Sequence, residues 1–164
     1  MSVSRKVVVT GIGPVTPVGT GVGDFWQGLV SGRSGIVPIS RFDTEDLPVK
    51  LAGEVRDFDV SAFIDLKEAK RTDRFVHFAI AAAKLAWDDA SEPSIEPERG
   101  GVIFATGIGG IETILNQHLR LLEKGARAVS PFMVPMLMGN AAAGHIAMQL
   151  GLTGPNFCTT SACA

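Results

Sequence analysis

Two continuous runs of strand-forming residues, Val7–Thr10 and Gly101–Thr106, each break off at a glycine turn, with a helix-length stretch between them. The first runs into Gly11-Ile12-Gly13-Pro14 and the second into Gly107-Ile108-Gly109-Gly110. A run without polar alternation suits a strand covered on both faces, which is the environment of a parallel sheet. From Thr72, the residues Phe75, Val76, Ala79, Ile80, Ala83, Ala86 and Trp87 recur at helical spacing, with Pro93 just beyond, and predict a long, mostly buried helix. Strand, helix and strand in this order restrict the chain to an α/β fold with a mainly parallel sheet.

The remaining elements fit that alternation. Asp24 is placed to cap a short helix bearing Phe25, Trp26, Leu29 and Val30 and closed by Gly32. Residues 34–61 mix glycine, proline and charge and read as a long surface excursion, with a strand near Leu51 to Val55. Ile111, Ile114, Leu115, His118 and Leu122 mark a helix ended by Gly125, and Asn140 is placed to cap a small-residue helix with Ala143, Ile146, Ala147 and Leu150. A final strand, Asn156-Phe157-Cys158, leads into Thr159-Thr160-Ser161-Ala162-Cys163-Ala164. The 164 residues show no repeat, low-complexity tract or flexible linker, and 46% apolar residues supply the core of one ordinary domain.

Several function classes are disfavoured at once. With 17 acidic and 15 basic side chains the chain is near neutral, which argues against a general nucleic-acid binder. Met1 to Lys6 contain no signal-peptide core and no segment offers about 18 uninterrupted apolar residues, so a cytoplasmic protein without a membrane span is expected. Cys158 and Cys163 lie too close on one strand and its end for a structural disulfide, and no CxxC or Cys/His ligand set indicates a metal. A GxGxxG fingerprint would need glycine where Thr16 and Glu112 stand, so neither glycine turn reads as a dinucleotide site.

The residues that carry chemistry are few. Cys163 stands at the end of a strand, where a following helix N-terminus would lower a thiol pKa, and the small residues Ser161, Ala162 and Ala164 leave space for a substrate carbonyl. By position alone, a nucleophile for thioester chemistry and a packed thiol both remain open, whereas Cys158 reads as a small apolar side chain. His77, His118 and His145 are each candidates for a general base, although His77 and His118 fall within helical patterns that packing explains. Lys67, Lys70, Arg71, Arg74 and, further on, Arg127 form the clearest basic grouping, for which a solvated helix terminus is the plain explanation.

Taken in order, Val7-Val8-Val9-Thr10-Gly11-Ile12-Gly13, Gly35-Ile36, Arg41-Phe42-Asp43, Gly107-Ile108-Gly109-Gly110, Ser130-Pro131-Phe132-Met133-Val134-Pro135, Asn140 with Ala143-Gly144-His145, and Gly154-Pro155 before Cys163 resemble the β-ketoacyl-acyl-carrier-protein synthases of the elongating, type II kind. The resemblance implies a thiolase-like fold of two similar α/β halves packed in five layers, helix, sheet, helix, sheet and helix. Residues 1–164 match most of the first half, ending just after the nucleophile, and the second half is missing. It implies that Cys163 accepts a fatty acyl group from an acyl carrier protein and that a malonyl carrier protein then loses carbon dioxide and attacks the acyl thioester. The catalytic histidines and lysine have no counterpart here, and no cofactor or metal is implied.

By the same resemblance, the enzyme is a homodimer whose acyl pocket is lined by Ile108 of one subunit and Met133 of its partner. Aromatic residues are frequent at the place of Met133 in relatives. Lys67, Lys70, Arg71 and Arg127 fall in regions that dock the acidic carrier protein, and His145 matches a position in a structural helix. The 164-residue chain alone is then expected to be inactive and a poor autonomous folder. The alternatives are a polyketide-type ketosynthase, a non-catalytic chain-length partner, against which Cys163 counts because its relatives replace the nucleophile, and a self-contained cysteine acyltransferase or hydrolase using one of the histidines.

Overall fold

The computed structural model describes residues 6–162. Met1–Arg5, on which most of the leader reading rests, and Cys163 and Ala164 lie outside the described residues. In chain order the elements are β1 (Val15–Thr16), β2 (Gly19–Thr20), α1 (Val22–Val30), β3 (Ile36–Pro38), β4 (Leu51–Gly53), α2 (Leu66–Ala69), α3 (Arg74–Asp89), β5 (Val102–Thr106), α4 (Ile111–Lys124), α5 (Met133–Leu137), α6 (Ala141–Leu150) and β6 (Asn156–Thr160), with short 3-10 turns at Val60–Ala62, Pro97–Arg99 and Ala126–Ala128. The chain divides into two compact units, residues 1–58 with 82–93, and residues 59–81 with 94–164.

In the first unit, β1 and β2 form a minimal hairpin, with Val15 opposite Thr20 and Thr16 opposite Gly19. The Thr16 hydroxyl closes it, donating to the Gly19 carbonyl at 2.9 Å and accepting from Val18 N at 3.2 Å. Strands β3 and β4 pair antiparallel, Ile36 opposite Gly53 and Pro38 opposite Leu51. The strand expected from Leu51 to Val55 therefore stops at Gly53, because Glu54 turns in to accept hydrogen bonds instead of continuing the ladder. Gly11 and Gly13 lie against the second half of α3, so close that a Cβ on either would collide with the Ala86 or Ala82 carbonyl. Close backbone approach is what those glycines serve.

Two expectations fail in this unit. Val7–Thr10 is not a buried strand: it has no ladder partner among the described residues, and Val7 and Val9 are 96% and 83% exposed. β-branched residues supply propensity, but a strand exists only where a neighbour accepts its backbone hydrogen bonds. Nor is Asp24 the cap of α1, which begins after Gly21; Asp24 sits in the first turn, where its carboxylate accepts from Thr20 N at 3.3 Å and pairs with Arg33 at 3.5 Å. An acid there still complements the helix dipole.

In the second unit, β5 and β6 pair parallel in unbroken register, Val102 opposite Asn156 through Thr106 opposite Thr160. Among the described residues the strands form three separate two-stranded sheets, and this pair is the parallel one while the other two are antiparallel, so the mainly parallel sheet expected from the sequence is reduced to a single pair. Helix α6 packs on β5 and β6, burying Ala142, Ala143 and Ile146. Its small residues allow close approach, and the Asn156 amide locks the contact by donating to the Ala143 carbonyl at 2.9 Å. Asn140 occupies the N-cap position of α6 but makes no capping bond with its side chain, while Gly151 ends the helix in the left-handed region, φ 66°. The first half of α3 is the best-buried segment, through Val76, Ala79, Ile80 and Ala81.

Helix α4 reverses the usual arrangement. Its buried residues are polar, Thr113 and Gln117, whereas Ile111, Leu115, Leu119 and Leu122 lie exposed, Leu122 at 70%. The inner face is held by hydrogen bonds, Thr113 to Asp73 and Gln117 Oε1 accepting from Ser130 N at 2.7 Å. No helix among the described residues is long and apolar enough to cross a membrane.

The buried Glu54 provides a pH signature. It accepts from the Ser40 hydroxyl at 2.7 Å, from Ser40 N and Arg41 N, and from Arg56 Nε at 3.2 Å. The Ser40 hydroxyl is the leading cause that lowers its pKa from 4.5 to about 2, against the opposing effect of burial. A depressed carboxylate pKa contributes stability that is present above about 4.5 and is lost as pH falls from there towards about 2. Carboxyl-carbon NMR should find Glu54 titrating well below the ordinary glutamate value of 4.5. The stability gap between wild type and Glu54→Gln should close as pH falls through that window, and a gap that widened would contradict this account.

Candidate active site

Parallel strands end together, and the crevice outside their carboxyl ends is where α/β folds bind ligands. Here Thr106 and Thr160 are the last paired residues, so the Gly107–Gly110 turn and the Ser161-Ala162 segment leave the sheet side by side. Ala162 N donates to the Gly107 carbonyl at 3.2 Å, carrying the pairing past the strand ends. Ala162 has φ 49°, a left-handed conformation unusual for a residue with a Cβ, and Cys163 follows immediately, outside the described residues.

The turn itself is pinned at several points. Gly109 N donates to Thr106 Oγ1 at 3.2 Å and Gly110 N to the Leu137 carbonyl at 3.0 Å. A Cβ at Gly110 would stand 2.6 Å from the Met136 carbonyl oxygen and 2.7 Å from Leu137 Cα. Gly139 approaches the strand ends in the same way, with Thr160 Oγ1, Thr106 and Cys158 around it. Half-buried Cys158 thus faces backbone within the packed side of the sheet, less enclosed than expected but in accord with a small apolar role.

Ile108 is 60% exposed on this turn, and Met133 is half-buried at the start of α5, the helix whose end supports the turn. Four of the basic residues stand on one stretch of the same unit. Lys67 lies in α2, Lys70 caps its C-terminus, and exposed Arg71 and half-buried Arg74 follow. The Arg71 guanidinium lies 5.1 Å above the Phe132 ring and that of Arg74 4.6 Å above Phe78. Arg127 is exposed on the turn between α4 and α5.

The histidines have structural contacts. His77 Nε2 is 3.0 Å from both the Ala69 carbonyl and Thr72 Oγ1, and His145 Nδ1 is 3.1 Å from Glu68 Oε1, while His118 is exposed on α4. What the sequence reading passed over is Asp73, whose carboxylate reaches the first turn of α4. Its place before a helix marks it as a cap, but nothing local shows the second helix it touches.

A family model described as the N-terminal domain of β-ketoacyl synthase matches residues 4–164. The chain belongs to the β-ketoacyl synthase family. It is 49% identical to a 3-oxoacyl-[acyl-carrier-protein] synthase 2 of Synechocystis, over 98% of this chain and 39% of that protein. A protein of the same name from Staphylococcus aureus is 45% identical, over the whole chain and 40% of its own length. Among solved structures, the ishigamide ketosynthase/chain length factor superposes with a TM-score of 0.77 at 29% identity, over 93% of this chain and 39% of that one. The expected α/β, thiolase-like ketosynthase fold is thereby supported. The chain spans about two-fifths of the length of these β-ketoacyl synthase relatives.

The glycine contacts are directly testable. Gly110→Ala places a methyl against backbone that cannot move aside and should cost about 1–3 kcal/mol. Gly144→Ala in α6, where a Cβ meets nothing within 4 Å, should instead be neutral or stabilising by up to about 1 kcal/mol. Denaturant unfolding of the two variants in the full-length protein would separate them, and equal midpoints would refute the close-packed turn.

Proposed function

We propose that this chain is the N-terminal part of a 3-oxoacyl-acyl-carrier-protein synthase that elongates fatty acyl chains by decarboxylative condensation. The supporting observation is family membership across residues 4–164, joined to a strand-end geometry that brings Ala162, the residue before Cys163 in sequence, beside the turn bearing Ile108. In this reading the Cys163 thiolate attacks the carbonyl of an acyl carrier thioester, and the carrier's thiol leaves. The malonyl thioester then loses carbon dioxide, and the resulting carbanion equivalent attacks the acyl-enzyme, expelling Cys163 as thiolate and giving a 3-oxoacyl carrier protein two carbons longer. The Cys163 N–H can hydrogen-bond the developing oxyanion. The groups that assist decarboxylation belong to the part of the longer enzyme that this chain does not span.

Substrate delivery and selectivity are assigned within the same reading. Ile108 from one subunit and Met133 from its partner line the acyl pocket, and the unbranched thioether of Met133 adapts to chains of different length. Lys67, Lys70, Arg71 and Arg127 receive the acidic carrier protein, whose name recurs in the names of the curated relatives. The protein acts in the cytoplasm as a homodimer. The apolar outer face of α4 supports a need for burial beyond this chain. The engagement of His77 and His145 with α2 and the turn after it counts against a self-contained hydrolase.

In the full-length protein, brief iodoacetamide treatment should label Cys163 faster than Cys158, and Cys163→Ala should abolish acyl-enzyme formation. Acylation surviving that substitution would refute the nucleophile. Residues 1–164 alone should form no 3-oxoacyl product from acyl and malonyl carrier proteins by mass spectrometry. Turnover by a monodisperse, cooperatively melting 164-residue chain would instead favour a self-contained acyltransferase.

Charge reversal tests the docking surface. Lys70→Glu with Arg71→Glu should weaken carrier binding mainly through slower association, and added salt should shrink the difference from wild type. Stopped-flow association equal for mutant and wild type would remove the patch from the reading.

A further inference from the structure

Asp73 does more than start a helix. It is buried, and Oδ1 accepts from Phe75 N at 3.3 Å, an ordinary N-cap for α3. Its other oxygen, Oδ2, accepts from Thr113 N at 2.9 Å and from Thr113 Oγ1 at 2.6 Å, across a sequence separation of 40 residues. The N-cap position of α4 is Gly110, which has no side chain to cap the helix, so Asp73 serves the first-turn N–H that a local cap would ordinarily serve. The remaining pins of the turn are the Gly109, Gly110 and Gly107 hydrogen bonds, and within them Ile108 alone carries a side chain.

We propose that Asp73 is a positioning residue for this site: by holding Thr113 it fixes the helix end on which the Gly107–Gly110 turn is mounted, places Ile108, and so sets acyl-chain selectivity. The proposal rests on the condensing-enzyme reading and on the pocket role of Ile108. A cap for α3 needs one oxygen; the two bonds made by the other are directed at the helix that follows the turn. Both partners are buried, so water cannot replace these bonds when one partner is removed. Because a selective apolar pocket discriminates by single methylenes, a small displacement of Ile108 is enough to change it.

The test uses the full-length enzyme and compares kcat/KM for short and long acyl carrier proteins. Thr113→Val removes the hydroxyl donor while leaving Asp73 free to cap α3. Asp73→Asn keeps the shape but has one acceptor oxygen for two helix ends. Both should change the long-to-short ratio, on the order of tenfold, the discrimination one methylene provides, and Thr113→Ser should restore the wild-type ratio. The effect of Thr113→Val should disappear in an Ile108→Ala background, because the two act through the same wall. A lowered melting temperature with an unchanged ratio, or additive effects of Thr113 and Ile108, would reduce Asp73 to a structural cap and overturn the proposal. A wild-type enzyme with no condensing activity would instead sink the reading on which it rests.

Discussion

The parallel ladder between β5 and β6 is the constraint on which the candidate site depends. Its register sends Phe104 and Cys158 to one face and Ile103 and Phe157 to the other, and a slip by one residue would exchange the faces. Backbone bonds at the entry to the ladder prevent that slip, since Val102 N donates to the Pro155 carbonyl and Gly154 N to that of Gly100. With entry and register fixed, the exit is fixed as well, and Ala162 arrives beside Gly107. One face is then covered by α6, while Ile103 is 72% exposed and Phe157 47% on the other. A strand with the near-continuous apolar character of β5 is suited to burial on both sides, so the exposed face agrees with a chain that covers only two-fifths of its relatives.

Backbone supplies most of the fastening around the strand ends. Gly109 and Gly110 of the turn meet the end of α5 and Gly139 through backbone at distances that exclude a Cβ. Side chains enter where the backbone leaves donors unserved, as Asp73 does for α4 and Glu54 for the loop after β3. This division explains the reversed polarity of α4. Its inner face must satisfy Asp73 and Ser130 and therefore carries Thr113 and Gln117, while Leu115, Leu119 and Leu122 point outwards and lie exposed.

What was legible in the sequence follows the same physics. The helices at Arg74–Asp89 and Ile111–Lys124 and the strands at Val102–Thr106 and Asn156–Thr160 were readable because periodicity and glycine endings are local signals. Val7–Thr10 misled because pairing is not a property of the residues that pair. Periodicity located α4 but could not say which face turns inward, and no spacing links Asp73 to a threonine 40 residues on. For the site, the sequence order placed Cys163 after a strand, whereas the meeting of Ala162 with Gly107 needed the register of two strands that are distant in the chain.

The left-handed conformation of Ala162 bears on the chemistry. A residue with a Cβ costs roughly 1–2 kcal/mol there, and such strain persists only where surroundings impose it, commonly at functional sites. Here the imposing bond is Ala162 N to the Gly107 carbonyl, which turns the chain sharply at the end of β6. Glycine at this position would relieve the strain but also widen the conformations open to the unfolded chain. A small side chain is therefore a compromise between holding the turn and leaving space beside the next residue. Under the condensing reading, that space is where the acyl thioester carbonyl must fit, which is a reason for a small side chain at position 162 despite its backbone cost.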